Sequence, residues 1–245
     1  MAGIFSKDAA PTPQGYTTQV VEVDYAQLQT ITPEDGWNPL DGVEIIEMGL
    51  GWDKSTGGKG GLLGVLNRSV GSDLDGVGTM YAGTKPVKYL GWDEVDTFAN
   101  EGSAAGSATH TGDNQTGEGA GDDETLRLDL KRIPIRITDI VLNATAFKRG
   151  SDMKRAKNIT VTLYDSTGGT KSPVAWIEPS LYKPKNTIAV AHLRRKRGED
   201  GRVIQGEGAG WELKVVDTSV DVKQGDRDDF LVKSGQMVGI AVSAG

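Results

Sequence analysis

Short runs in which apolar and polar residues alternate dominate this chain. Leu126-Arg127-Leu128-Asp129-Leu130 and Ile159-Thr160-Val161-Thr162-Leu163 alternate strictly, as a strand with one buried face requires. Val20-Val21-Glu22-Val23, Val43-Glu44-Ile45-Ile46, Ile188-Ala189-Val190 and Leu213-Lys214-Val215-Val216 are equally short and rich in β-branched residues. Met237-Val238-Gly239-Ile240-Ala241-Val242 reads as a last strand. Breakers such as Thr167-Gly168-Gly169 and Glu199-Asp200-Gly201 separate the runs, and residues 27 and 154–157 predict a turn of helix at most. Many short strands with frequent turns predict an all-β fold, a sandwich or a barrel.

The irregular stretches suggest an organisation. Residues 1–35 carry Pro11, Pro13 and Pro33 and read as an N-terminal arm. Residues 36–217 hold most of the strand candidates, interrupted by glycine-rich residues 54–71 and a Gly/Ser/Ala loop over residues 102–107. Residues 218–245 form a C-terminal tail with one or two expected strands.

Composition removes several chemistries. The 245 residues include no cysteine, which excludes disulfides, thiolate metal sites and cysteine nucleophiles. A net charge of −7 argues against nucleic acid as a general partner. The N-terminal residues lack the basic and apolar regions of a signal peptide, and no run approaches the roughly 20 apolar residues of a membrane span. The expected location is cytoplasmic. The basic run Arg194-Arg195-Lys196-Arg197 reads as a solvated hairpin edge where positive charge blocks strand pairing, with a specific acidic partner as the alternative.

The segment with most chemistry is His110-Thr111-Gly112-Asp113-Asn114-Gln115-Thr116-Gly117-Glu118-Gly119-Ala120-Gly121-Asp122-Asp123-Glu124. It gathers five carboxylates and a carboxamide among glycines that let carbonyls turn inward. Calcium takes about six to eight oxygen ligands of these kinds. Adjacent Asp122, Asp123 and Glu124 repel one another without a cation, although a solvated acidic loop remains open on the residues alone. The loop is not an EF-hand, because Gln115 and Gly117 stand where that loop needs ligands. Asp73 and Asp75 would share one face of a strand, and Asp53 is a third acidic point.

Gly49-Leu50-Gly51-Trp52-Asp53, Ser72-Asp73-Leu74-Asp75, the long acidic segment, then Leu128-Asp129-Leu130 and Pro134 occur in an order that resembles the TerD-type family of tellurite-resistance and general stress proteins. Ile137-Thr138-Asp139-Ile140-Val141 and residues 156–165 look like that family's continuation, so the resemblance spans roughly residues 36–217. It implies a β-sandwich of two mainly antiparallel sheets with long loops, binding Ca2+ through acidic motifs. By position it implies Asp53, Asp73, Asp75, Asp113, Asn114, Glu118, Asp122, Asp123 and Glu124 as ligands. The chain departs from the family at Gly76, where a residue such as alanine is typical, and in its arm, insert and tail.

Enzyme motifs are missing. Residues 53–60 make a poor phosphate loop, there is no Gly-x-Ser-x-Gly elbow, and the two histidines form no zinc motif, so no catalysis is expected. His110 reads as a surface histidine, with orientation of the acidic loop as the alternative. The expected function is a non-enzymatic calcium-binding protein working through contacts with other protein subunits, copies of itself included. The alternative is a structural component of a phage virion or related particle, with arm, insert and tail gripping neighbours.

Overall fold

The structure is a computed structural model that describes residues 31–53, 74–113, 122–146, 157–177 and 185–242. The expected strand at residues 20–23 and the glycine-rich residues 54–71 lie outside them. Among the described residues the strands are β1 (Asn38–Pro39), β2 (Ile45–Asp53), β3 (Leu74–Ala82), β4 (Lys85–Leu90), β5 (Ala108–His110) and β6 (Glu124–Asp129). They continue as β7 (Asp139–Ala146), β8 (Lys157–Asp165), β9 (Ser172–Ile177), β10 (Thr187–Arg195) and β11 (Trp211–Val220), followed by helix α1 (Arg227–Met237). One sheet runs β1-β11-β10-β7-β3-β4 and the other β5-β6-β2-β8-β9, with every pairing antiparallel. The expected two-sheet, mainly antiparallel β architecture is therefore present.

Alternation explains how the sheets face each other. In β6 Glu124, Leu126 and Leu128 are buried while Thr125, Arg127 and Asp129 are half-buried, and β11 repeats the pattern at Trp211, Leu213 and Val215. These inward residues join Ile46, Met48 and Leu50 of β2 and Ile140 and Leu142 of β7 in one core between the sheets. Central β7 is buried along its whole length, because its outer face is covered as well.

That cover is α1, which corrects the expected C-terminal strand. Residues 237–242 form no strand; the helix ends at Met237 and the chain then turns, placing Val242 against Tyr81, Val141 and Ala189. Asp226 caps the helix by accepting from the Asp229 amide at 2.9 Å. Inside, Ser234 bonds Thr79 at 2.7 Å and Asn143 at 3.1 Å, and the Tyr81 hydroxyl donates to the Leu231 carbonyl at 2.7 Å. Gly235 is required there, since a Cβ would lie 2.6 Å from Val242 and 2.9 Å from Tyr81.

Strand β10 contains the irregularity that matters most. Ile188, Val190, His192 and Arg194 share one parity, so an unbroken strand would send all four to the same face. The register with both neighbours shifts between Ala189 and Ala191. Val190, Ala191 and Leu193 consequently all join the inter-sheet core, and His192 and Arg194 emerge on the side where α1 ends.

The basic run is not a solvated hairpin edge, which is a second correction. β10 lies between β7 and β11, and each of the four cations has a partner within the fold. Arg194 pairs with Glu212 at 2.5 Å, and Arg195 donates to the carbonyls of Ile137 and Ile133 at 2.8 and 3.0 Å. Lys196 pairs with Asp41, and Arg197 with Asp139 at 3.0 Å. Residues 102–107 are also more than a surface loop, since Ala104 and Ser107 are buried.

Candidate metal centre

Three carboxylates meet where β3 begins, β5 ends and β6 begins. Asp75 is the second residue of β3, Asp113 follows β5, and Glu124 opens β6. One ligand oxygen from each lies within 4.8 Å of the others. Asp75 and Glu124 are 3% and 1% exposed, which isolates their charges from water, and Asp113 is exposed. Buried carboxylates need hydrogen bonds or a cation to offset their lost hydration.

Part of that compensation comes from the protein. Oε2 of Glu124 accepts from the Gly76 amide at 2.8 Å. His110, expected at the surface, is 1% exposed and stands beside the group. Its Nδ1 accepts from the Gly112 amide at 2.9 Å, which places the ring proton on Nε2. Nε2 then donates to the Gly76 carbonyl at 3.1 Å and lies 3.3 Å from Glu124 Oε2. Gly112 adopts a φ of +98°, the left-handed region its amide needs to turn back toward the ring. The imidazole thus fixes the Glu124 carboxylate, as outer partners of metal ligands do. Burial, then the carboxylates of Asp93 and Asp75, pushes the nearby Tyr89 phenol well above its ordinary value.

The donor set suits a hard cation. Two oxygens bound to one calcium ion at about 2.4 Å are at most about 4.8 Å apart, whereas magnesium at about 2.1 Å restricts them to about 4.2 Å. The group of Asp75, Asp113 and Glu124 could therefore hold a metal ion.

The other sequence candidates have different placements. The Asp122 carboxylate lies over Gly49, where a Cβ would come within 2.1 Å of its Cγ. There it meets Lys171 at 3.6 Å and accepts from the Tyr164 hydroxyl at 3.4 Å, while Lys171 also pairs with Glu47 at 2.9 Å. Burial raises the Asp122 pKa above its ordinary value, against the opposing pull of Lys171. Asp122 is thus absent from the group of three. Asp123 accepts from the Trp52 amide at 3.0 Å through Oδ2, and its own amide donates to the Leu50 carbonyl at 2.8 Å, tying the loop to β2. Asp53 is the last residue of β2, and Asp73, Asn114 and Glu118 lie outside the described residues. Sequence reasoning missed the support around the carboxylates. His110 had a readable signal, since Ala108 and His110 share a parity just before the acidic loop. The Glu47–Lys171–Asp122 cluster joins residues 122 positions apart or more from end to end and had none.

No helix among the described residues is long and apolar enough to cross a membrane. The TerD domain family matches residues 38–216. Tellurium resistance protein TerZ of Serratia marcescens is 32% identical over 155 residues, covering 62% of this chain and 74% of that protein. Stress response protein SCP2 of Bacillus subtilis is 27% identical over 170 residues, covering 68% of this chain and 84% of that protein. The crystal structure of a homologue of telluride resistance protein (TerD) from Streptomyces coelicolor A3(2) superposes with a TM-score of 0.53 at 17% identity, over 74% of this chain and 93% of that one. With sequence, sheet order and relatives in agreement, this chain belongs to the TerD domain family.

Proposed function

We propose that this protein is a calcium-binding, non-enzymatic TerD-family protein that serves in stress or tellurium resistance through contacts with other proteins. The observation that carries the reading is the convergence of Asp75, Asp113 and Glu124, two of them buried, with His110 and the Gly76 amide orienting Glu124. The named roles of TerZ and SCP2 support the physiological part. Further ligands are proposed from among Asp53, Asp73, Asn114, Glu118 and Asp123, while Asp122 holds the loop against Lys171. A bound cation neutralises the carboxylates. The protein's own residues position the oxygens and exclude water from Asp75 and Glu124.

The test is calorimetric titration of the full chain with Ca2+ and, separately, Mg2+. Saturable calcium binding that is much tighter than magnesium binding is expected, because magnesium dehydrates reluctantly and demands octahedral geometry. An absence of calcium binding at millimolar concentrations would overturn the calcium assignment. A pull-down in calcium against chelator then tests the protein-contact mechanism, which fails if neither condition recovers a specific partner.

A further inference from the structure

A cleft of about 600 Å³ opens on the outer face of the six-stranded sheet, between the end of α1 and the turn carrying Pro33 and Glu34. It shares no residue with the carboxylate group of Asp75, Asp113 and Glu124. Its floor is a directly opposed pair, His192 on β10 and Lys214 on β11.

The state of His192 follows from its neighbours. Nε2 lies 3.0 Å from Oδ1 of Asp139, which is 3% exposed. Asp139 also accepts from Thr138 Oγ1 at 2.7 Å and Arg197 Nη2 at 3.0 Å. Burial opposes ionisation of Asp139, yet its hydrogen bonds from His192 and Thr138 and the nearby cations hold it below the usual carboxylate range. An ionised carboxylate accepts, so the imidazole donates through Nε2 and its Nδ1 carries a lone pair. Among the described residues nothing donates to that Nδ1, and Lys214 has no ion pair or hydrogen bond.

The walls add two further properties. Trp37 stands edge-on to the His192 ring with centroids 4.9 Å apart, and the Arg194 guanidinium packs 3.6 Å from the Trp37 centroid. With Val216, Met237 and Val238 this makes an apolar side. Glu34 and Asp217 also line the cleft, and Arg194 is already neutralised by Glu212. Such a lining repels a dianion but accommodates a ligand carrying both signs.

We propose that this cleft binds a free α-amino acid with an apolar side chain. The ligand's ammonium donates to His192 Nδ1, its carboxylate pairs with Lys214, and its side chain lies against Trp37 and Val216. Side chains directly opposed on antiparallel strands have Cβ atoms about 4.5–5.5 Å apart, which suits ammonium and carboxylate groups borne on one carbon. Glu34 and Asp217 favour the ammonium end.

The experiment is titration of the full chain with L-leucine, followed through the imidazole nitrogen resonances. The chain has two histidines, and His110 serves as the internal control because its Nδ1 is already occupied. L-leucine is expected to move the His192 Nδ1 signal and leave His110 unchanged. Lys214→Met keeps the apolar stem and is expected to weaken binding about tenfold or more, the scale of a lost charge-assisted hydrogen bond. Lys131→Met, remote from the cleft, is expected to change nothing. 4-Methylpentanoate and 3-methylbutylamine, each lacking one charge, are expected to bind at least about tenfold more weakly than L-leucine for the same reason. The proposal is overturned if L-leucine leaves His192 unmoved, if Lys214→Met binds it as well as the parent, or if the amine or inorganic phosphate binds as tightly as L-leucine. Calcium-free protein gives the same readout, so this result is separable from the fate of the metal assignment.

Discussion

Replacing Glu124 by glutamine should change stability in opposite directions depending on calcium. In chelator, the parent holds three carboxylates whose oxygens lie within 4.8 Å of one another. At an effective dielectric of about 20, two like charges at that separation repel by roughly 3 kcal/mol. Glu124→Gln removes two of the three repulsive pairs. It also weakens the charge-assisted bonds from the Gly76 amide and the His110 Nε2–H, each by about 1 kcal/mol. Because exposed Asp113 is screened by water, the net gain in chelator should be about 1–2 kcal/mol. For a chain of this size that raises the melting temperature by about 2–8 °C. At a hundred-fold excess of calcium over its Kd the parent gains about 2.7 kcal/mol, and the variant should lose most of that gain. Thermal melts of both proteins, each in calcium and in chelator, give the four numbers needed. If the variant melts below the parent in chelator, Glu124 acts as a structural acceptor and the repulsion argument is wrong. An undiminished calcium shift would remove Glu124 from the ligand set.

Other expectations follow from the same geometry. Asp139→Asn leaves Arg197 and His192 facing a neutral partner and should destabilise the protein by about 3 kcal/mol in urea unfolding, as removal of one partner from a buried pair does. Because the Asp139 pKa is lowered on folding, the parent's Asp139 contribution is present above the ordinary carboxylate value of 3.8 and is lost as pH falls through the lower folded value; the variant's stability should fall less over that acid range. Gly76→Ala places a Cβ 2.5 Å from Leu126 Cδ1 and should lose about 1–3 kcal/mol, with Leu126→Ala in the same chain giving a double-mutant cycle far from additive. Arg195→Lys cannot reproduce a planar fork that donates to Ile137 and Ile133 while stacking 4.5 Å from the Trp211 centroid, so a loss of about 1–2 kcal/mol is expected by the same unfolding assay.

Strands such as β6 and β11 were legible because each has one face in the core and one outside it, so period two survives in the sequence. Helix α1 was hidden for the opposite reason. Its inward positions include Ser234 and Gly235 beside Phe230, and a face built from small and polar residues leaves no apolar stripe at helical spacing. The cap Asp226 and the acids Asp228 and Asp229 in the first turn were the readable signal. The apolar run 237–242 misled because it packs irregular chain against the sheet. At the candidate site the charges were legible and their destinations were not. Asp122 and Glu124 share a parity, yet β6 begins only at Glu124, so the two carboxylates reach different neighbours. The bland reading of the basic run failed because side-chain partners from β7, β11 and residue 41 are invisible to local inspection.

The register shift in β10 has a bearing on how this strand can change over time. Side chains can be exchanged at Ala189 or Val190 with local consequences, since each occupies a defined volume on one face. Loss of a single residue there would act on everything downstream at once. It would restore unbroken parity, turning His192 and Arg194 toward the inter-sheet core and Leu193 toward the outside. The ion pairs with Asp139 and Glu212 and the cover of Trp37 would be forfeited together. In this strand length is therefore under tighter constraint than identity, and a frame-preserving deletion of one codon would be more damaging than most substitutions that the same stretch could suffer.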